Sequence, residues 1–260
     1  MRARVDDTLH AFDGARQVGT MLRSAVTFRD DLTKVTLDVY ERYAVEVVER
    51  FGFCPWARTA RESGGVTLRV VFSVNQDDFE ESLALMQTLH TARSQTDIAL
   101  FIYPLLDLDR LRFEDFVRRL RTLAEADDRK LDEYAMAAFH PIASADFGHP
   151  DRLVPYVRRS PDPTLQLVKN SALSSIKGLT QGTAFVDVEA LSALGLRALS
   201  EPAPKAVRER IAEQNLTTVR EVGTPVIDAV LCDIFGQREA AHAGLESRYG
   251  QRGPRRLDPG

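Results

Sequence analysis

Cys54 is the residue whose chemical type and position most favour a reactive site. It is one of two cysteines in the 260-residue chain, and it stands two residues before the only tryptophan, Trp56. Pro55 can occupy the first position of a short helix, which would make Cys54 its N-cap. The helix dipole, with Arg58 and Arg61 nearby, would then lower the pKa of the thiol. The alternative is a buried thiol that fills a gap beside Trp56.

His140 is the second candidate, because it ends a predicted strand and is followed by Pro141. Ligand and catalytic groups concentrate at strand ends in open α/β sheets. An imidazole there could be an acid or base, or a metal or haem ligand. The alternative is a histidine that is hydrogen-bonded to a loop carbonyl. The other histidines are predicted to lie in a polar loop or on the surface: His10, His90, His149 and His242.

The third candidate is the pair Arg158 and Arg159, which comes shortly before a helix that is predicted to begin at Pro163 and to run to Leu173. Guanidinium groups and helix N-termini both attract anions, so this segment predicts an anion pocket. Asp162 complicates that interpretation, since as N-cap it could occupy the positive helix end itself. The alternative is therefore a structural cluster of salt bridges.

The three candidates lie at the ends of helices and strands that are predicted to alternate along the chain. Apolar residues from Tyr40 to Phe51 share one helix face, and Gly52 is a typical helix stop. Three strands are then predicted, over 66–74, 98–106 and 134–139, with helices between them around 75–89 and 113–124. Residues 141–163 are predicted to be a proline-rich connection. This alternation predicts an α/β (or α+β) fold, an α-β-α-β-α-β core with helices packed on a small mixed sheet.

The pattern divides the chain into four parts. These are an N-terminal extension over 1–35, an α/β core domain over 36–177, a helical C-terminal extension over 178–243 and a tail over 244–260. Helices are predicted in the extension over 186–199, 206–215 and 225–235. The tail has no apolar period, which predicts disorder.

Composition excludes some classes of partner. The net charge is −4 and the pI is about 5.8, so no basic excess indicates nucleic-acid binding. No run approaches the roughly 18 apolar residues of a membrane span. The N-terminus lacks a secretory apolar core, which favours a cytoplasmic protein with reduced thiols. No spacing of histidines, cysteines and carboxylates predicts a metal site.

Three stretches together resemble a known bacterial family, domain of unknown function 1415. They are Phe53–Ala57, Phe139–Pro141 and Arg159–Pro163, and the resemblance covers about residues 36–176. It implies a compact α/β domain with a shared pocket and implies no reaction. Two positions depart from the family pattern: Asp162 replaces an aromatic residue, and Gln166 replaces a histidine. If that histidine were a metal or haem ligand, Gln166 would weaken the site.

The leading hypothesis is a cytoplasmic small-molecule enzyme. Cys54 would be its nucleophile or redox thiol and His140 the acid-base partner. The predicted substrate-binding residues are Arg159, for an anionic group, with Arg158, Ser160 and Trp56. A second hypothesis is a haem-binding oxidoreductase or sensor, since Cys-Pro dipeptides and strand-end histidines can supply axial ligands. A third is a non-enzymatic interaction or scaffold protein that binds a partner through its C-terminal helices.

Overall fold

The computed structural model describes residues 26–91, 96–126, 133–170 and 207–250. Predictions for residues 1–25 and for the helix over 186–199 lie outside this part of the chain. The described helices include none whose length and apolarity would allow it to cross a membrane.

The described residues form seven helices and four strands. The helices are α1 (residues 26–43, continuing as a π-helix over Ala44–Glu49), α2 (Ala57–Glu62), α3 (Glu80–Thr91), α4 (Arg110–Ala126), α5 (Pro150–Val157), α6 (Val207–Val222) and α7 (Thr224–Tyr249). The strands are β1 (Val66–Val70), β2 (Ile98–Ile102), β3 (Tyr134–Phe139) and β4 (Thr164–Lys169). The predicted α/β class is confirmed, and α5 interrupts the stretch predicted as a connection.

The four strands form one mixed sheet in the order β1-β2-β4-β3. β1 and β2 are parallel, whereas β4 lies between β2 and β3 and is antiparallel to both. Consequently β1, β2 and β3 all point the same way. Their carboxyl ends and the start of β4 meet at one edge, here called the carboxyl edge.

The helix predicted from Pro163 to Leu173 is wrong for Thr164–Lys169, which form the strand β4. Leu165 and Leu167 are completely buried and alternate with the half-buried Gln166. Alternation with a period of two is the pattern of a strand. Pro163 therefore precedes a strand, and its carbonyl accepts a hydrogen bond from the N–H of Tyr103 at 2.9 Å.

Apolar cores cover both faces of the sheet. On one face Phe101 and Leu165 pack with side chains of α3 and α4 such as Met86 and Phe116. On the other face Leu100 and Ile102 pack with side chains from α1, α5, α6 and α7. β2 is therefore buried on both sides, as its nearly continuous apolar sequence predicts.

The C-terminal helices contribute directly to the second core. Val219 of α6 and Ile227, Leu231 and Ile234 of α7 are buried with residues of α1 and the sheet. α7 reaches Tyr249, so the disorder predicted from Gly244 is wrong for residues 244–249. Burial explains the helix there, since Leu245 packs on the start of α1.

We expect Ile234→Ala to lower the free energy of unfolding by about 2–5 kcal/mol, because it leaves a cavity in the second core. Val226→Ala is the matched control on the same helix, where the side chain is exposed; its effect should stay within about 0.5 kcal/mol. Urea denaturation measures both. Equal, small effects would contradict the packing of α7 on the core.

Candidate functional site

Cys54 lies in the turn between α1 and α2 and is half-buried. The N-cap of α2 is Trp56, which is also half-buried and makes no side-chain capping bond. Burial raises the pKa of the Cys54 thiol, and the main-chain N–H groups of Trp56 and Ala57 oppose that rise with smaller effects. The expectation that Cys54 caps α2 with a lowered pKa is therefore wrong.

Glu49 explains why the neighbouring arginines do not activate Cys54. Its side chain is only 3% exposed, and it lies 2.6 Å from Nε of Arg61 and 3.5 Å from Nε of Arg58. Arg61 is the main cause of the lowered pKa of Glu49. Both guanidinium groups thus compensate a nearly buried carboxylate at the end of α1.

His140 follows β3 and is 4% exposed. Its Nε2 lies 2.9 Å from the carbonyl oxygen of Leu108, and its Nδ1 lies 3.2 Å from the main-chain nitrogen of Ile142. This pattern fits a neutral ring that donates from Nε2 and accepts at Nδ1. Burial lowers the pKa of His140, which also favours the neutral form. The ring joins the end of β3 to the loop between β2 and α4.

These hydrogen bonds match the alternative of a histidine bonded to a loop carbonyl. For His140 to act as an acid or base, or as a haem ligand, one ring nitrogen must first release its main-chain partner. The described residues contain no group of three or more histidine, cysteine, aspartate or glutamate side chains arranged to hold a metal ion. The acid-base and haem roles stay predictions.

Arg158 and Arg159 follow the C-terminus of α5 and precede a strand, not the predicted helix. The carbonyl of Arg158 accepts the N–H of His140 at 3.1 Å, and its guanidinium lies over the ring of Phe139. The guanidinium of Arg159 stacks 3.9 Å from the ring centre of Tyr156 and places Nη2 2.6 Å from Oδ1 of Asp228 on α7. Both side chains are therefore held in defined positions.

Ser160 and Asp162 are buried in the turn before β4. The Ser160 hydroxyl donates to the Asp162 carbonyl at 2.6 Å, which gives it a main-chain partner. The Asp162 carboxylate accepts from Nε of Arg238 on α7 at 2.8 Å. Asp162 is therefore not the predicted N-cap, and its partner is an arginine 76 positions away in the sequence.

His242 is buried near this ion pair, so its predicted surface position is wrong. Burial lowers its pKa to about 4, and the charge of Arg238 acts in the same direction. The sequence contains one signal of this burial. His242 precedes Leu245, which is buried, by three residues, so both lie on the same face of α7. Of the other histidines, His149 accepts the N–H of Asp151 as N-cap of α5, and the half-buried His90 faces Glu133. His10 lies outside the described residues.

A small cleft at the carboxyl edge brings together two of the predicted site residues, His140 and Arg158. Its lining consists of Arg110, Glu114, Ala138, His140, Pro155 and Arg158. Two guanidinium groups and one carboxylate leave a net positive charge while His140 is neutral. The sequence analysis did not predict Arg110 as a site residue. It begins the helix that follows β2, and the start of such a helix is a frequent place for anion sites.

Cys54 is not part of this cleft. Its side chain is not among the residues that line the cleft, and a helix separates it from the start of β1. Trp56, the N-cap of α2, does not line the cleft either.

The architecture is thus an α/β sheet covered by helices on both faces, with a basic cleft at its carboxyl edge. The chain belongs to the family described as Protein of unknown function (DUF1415), whose model matches residues 37–187, more than half of the sequence. The resemblance found in the sequence is confirmed. No curated protein and no solved structure matches the chain.

We expect native Cys54 to react slowly with iodoacetamide at pH 7, because burial raises its pKa and leaves little thiolate. Cys232→Ser removes the exposed second thiol, so that mass spectrometry follows Cys54 alone. The rate should still be rising at pH 9. A rate that is already constant near pH 7 would instead indicate an activated thiolate.

The buried His242 should make the fold sensitive to acid. In the unfolded chain His242 takes up a proton as the pH falls through 6.5. In the folded protein it takes up that proton only near pH 4. Stability is therefore lost as the pH falls through this window, by about 3 kcal/mol in total from this histidine. The lowered pKa of His140 acts in the same direction.

Urea denaturation between pH 7 and pH 4.5 tests this effect. His242→Leu should flatten the dependence of stability on pH, because the variant has no buried imidazole at this position to protonate. An equal slope in the wild type and in His242→Leu would show that His242 is not buried in its neutral form.

Proposed function

We propose that the protein binds a small anionic molecule at the opening of the cleft at the carboxyl edge, because the cleft itself has a volume of only about 10 Å³, enough for about one water molecule. The observation that carries the proposal is the convergence of Arg110, His140 and Arg158 from three separate segments on one cleft. Carboxyl edges of α/β sheets are where such folds bind ligands. Planar guanidinium groups match the geometry of carboxylate and phosphate oxygens.

His140 supports this site as a positioning residue. Its ring donates a hydrogen bond to the carbonyl of Leu108, two residues before Arg110. Its main-chain N–H donates to the carbonyl of Arg158. One residue therefore fixes the spacing between the two segments that carry the arginines. A neutral imidazole performs this role without adding a charge to be compensated.

In its finer form, the proposal is that the protein is a small-molecule enzyme that catalyses a reaction of the bound anion. Cys54 does not line the cleft, which favours binding over a cysteine-histidine reaction in one pocket. Two free cysteines are in keeping with a reducing compartment, so we propose a cytoplasmic location. The acidic net charge of −4 favours small anions over nucleic acid as ligands.

The test is a titration of the purified protein with inorganic phosphate and with acetate at constant ionic strength, followed by thermal shift. We expect Arg158→Ala to weaken the binding of the preferred anion by about tenfold or more, since hydrogen bonds to charged groups contribute about 1.5–3 kcal/mol.

Arg118→Ala is the matched control, because Arg118 is an exposed arginine on α4 that pairs with Asp115 outside the cleft. It should bind the anions like the wild type. A wild type that binds neither anion, or an equal loss in both variants, would contradict a specific site at the cleft.

A further inference from the structure

The outer edge of β3 offers hydrogen-bonding groups to a further strand. β3 is an edge strand of the sheet, in the order β1-β2-β4-β3. In β4, the N–H of Lys169 donates to the carbonyl of Asp97, and just before β4 the carbonyl of Pro163 accepts the N–H of Tyr103. Both partners adjoin β2, so the odd-numbered residues of this segment direct their main-chain groups toward β2. The even-numbered residues of β4 therefore face β3, since these directions alternate along a strand.

The register gives the direction of the same groups in β3. Its odd-numbered residues, from Ala135 to Phe139, lie opposite the even-numbered residues of β4 and pair with them. The main-chain groups of Tyr134, Met136 and Ala138 therefore point away from the sheet.

Two contacts with other segments agree with this direction. The carbonyl of Met136 accepts a hydrogen bond from Nη2 of Arg121 at 2.9 Å. Just beyond β3, the N–H of His140 donates to the carbonyl of Arg158 at 3.1 Å. In the part of the chain that the structure describes, no main-chain group pairs with the outward N–H groups of Met136 and Ala138. The outer edge of β3 can therefore accept an added strand.

β1, the other edge strand, has a protection that β3 lacks. Its Arg69 is exposed, and the guanidinium donates to the carbonyl of Leu68 at 2.8 Å. Natural edge strands use charged side chains and prolines to avoid pairing with other chains. β3 has the sequence Tyr-Ala-Met-Ala-Ala-Phe and contains neither. Its alanines also leave room for another backbone to approach.

Arginines on both faces of the sheet indicate which strand would fit this edge. The side chains of Met136 and Ala138 pack on the core that α4 covers, and Arg121 of α4 is exposed on that side. On the other face, the Arg158 guanidinium lies over the ring of Phe139. An added strand would place its side chains alternately on the two faces, so acidic side chains would meet an arginine on either one.

Arg121 is the cation that a bound carboxylate would meet first. The carboxylates of Glu133, which precedes β3, and Glu114, in the cleft, already bond to His90 and Arg110. Arg121 donates to a main-chain carbonyl, and among the described residues no carboxylate pairs with it. Charge complementarity therefore favours an acidic strand.

We propose that the outer edge of β3 binds an extended acidic segment of a partner protein, which joins the sheet as an additional strand with a carboxylate facing Arg121. In this mode main-chain hydrogen bonds provide affinity and alternate side chains provide specificity. The inference goes beyond the proposed function and is independent of it, because it uses main-chain groups of β3 and Arg121, which does not line the cleft.

The probe is a fluorescein-labelled peptide of about six residues in which valine and glutamate alternate, as strand addition requires. Fluorescence anisotropy with the full chain measures its affinity. The corresponding peptide of valine and lysine should bind about tenfold more weakly or not at all. Arg121→Gln should weaken the glutamate peptide by about two- to fivefold, as expected for an exposed ion pair, and leave phosphate and acetate binding unchanged. Arg112→Gln is the matched control, because Arg112 is exposed on the same helix and lines a separate pocket with Gln76.

Ala138→Pro tests the strand pairing itself. It removes an outward N–H and leaves the ladder with β4 intact, and edge strands tolerate proline at such positions. The peptide should bind about tenfold more weakly or less, since a main-chain hydrogen bond is lost. Ala138→Val keeps the N–H and has nearly the volume of proline, so it should bind like the wild type.

Peptides that are N-methylated at every second residue test the pairing without any change to the protein. Of the two alternating series, the one that methylates the groups facing β3 should not bind, whereas the other should bind like the unmodified peptide. Equal affinities of the two series, or of the glutamate and lysine peptides, would overturn the inference. A wild-type dimer that Ala138→Pro dissociates, measured by analytical ultracentrifugation, would also overturn it, because a second copy of the chain would then occupy the edge.

Discussion

The buried ion pair between Asp162 and Arg238 is the interaction on which the arrangement of the site depends. Asp162 is almost fully buried in the turn before β4, and removing one partner of such a pair leaves a buried charge that costs about 3–5 kcal/mol. The pair therefore fixes α7 against the carboxyl edge. With α7 in place, Asp228 reaches Arg159 and holds it against Tyr156. The family model matches residues 37–187, and α7 lies outside that range. A helix from outside the matched region therefore completes the second core of this chain.

The parts of the fold that the sequence predicts are those with a strong local pattern. β3 has the predicted bounds, and the burial of β2 on both faces follows from its nearly continuous apolar run. β4 was predicted as a helix because Pro163 resembles a helix start and the following leucines satisfy more than one period. Its strand state comes from pairing with β2 and β3, whose sequences are distant from it. Local pattern carries no information about such pairing.

The candidate site shows the same limit at the level of single charges. The residue types at Cys54, Arg58 and Arg61 are those of an activated thiol, yet both arginines bind Glu49, an acidic residue of α1 whose partners the sequence does not reveal. The predicted pocket of Cys54, His140 and Arg159 stays a prediction, whereas His140 and Arg158 line one cleft because each follows an element that ends at the carboxyl edge. Arg110 and His242 were missed because their environments depend on contacts between segments far apart in the chain.

The central position of β4 has a consequence for how the protein is made. During synthesis β2 and β3 emerge before the strand that joins them, so β2 exposes an unpaired apolar edge until residue 169 has left the ribosome. The second core stays open longer still, since α6 and α7 complete it only after residue 207. Long-range pairing of this kind is slow to form, and unpaired strand edges favour aggregation. The nascent chain therefore exposes this strand edge and the open second core until its last helix is in place.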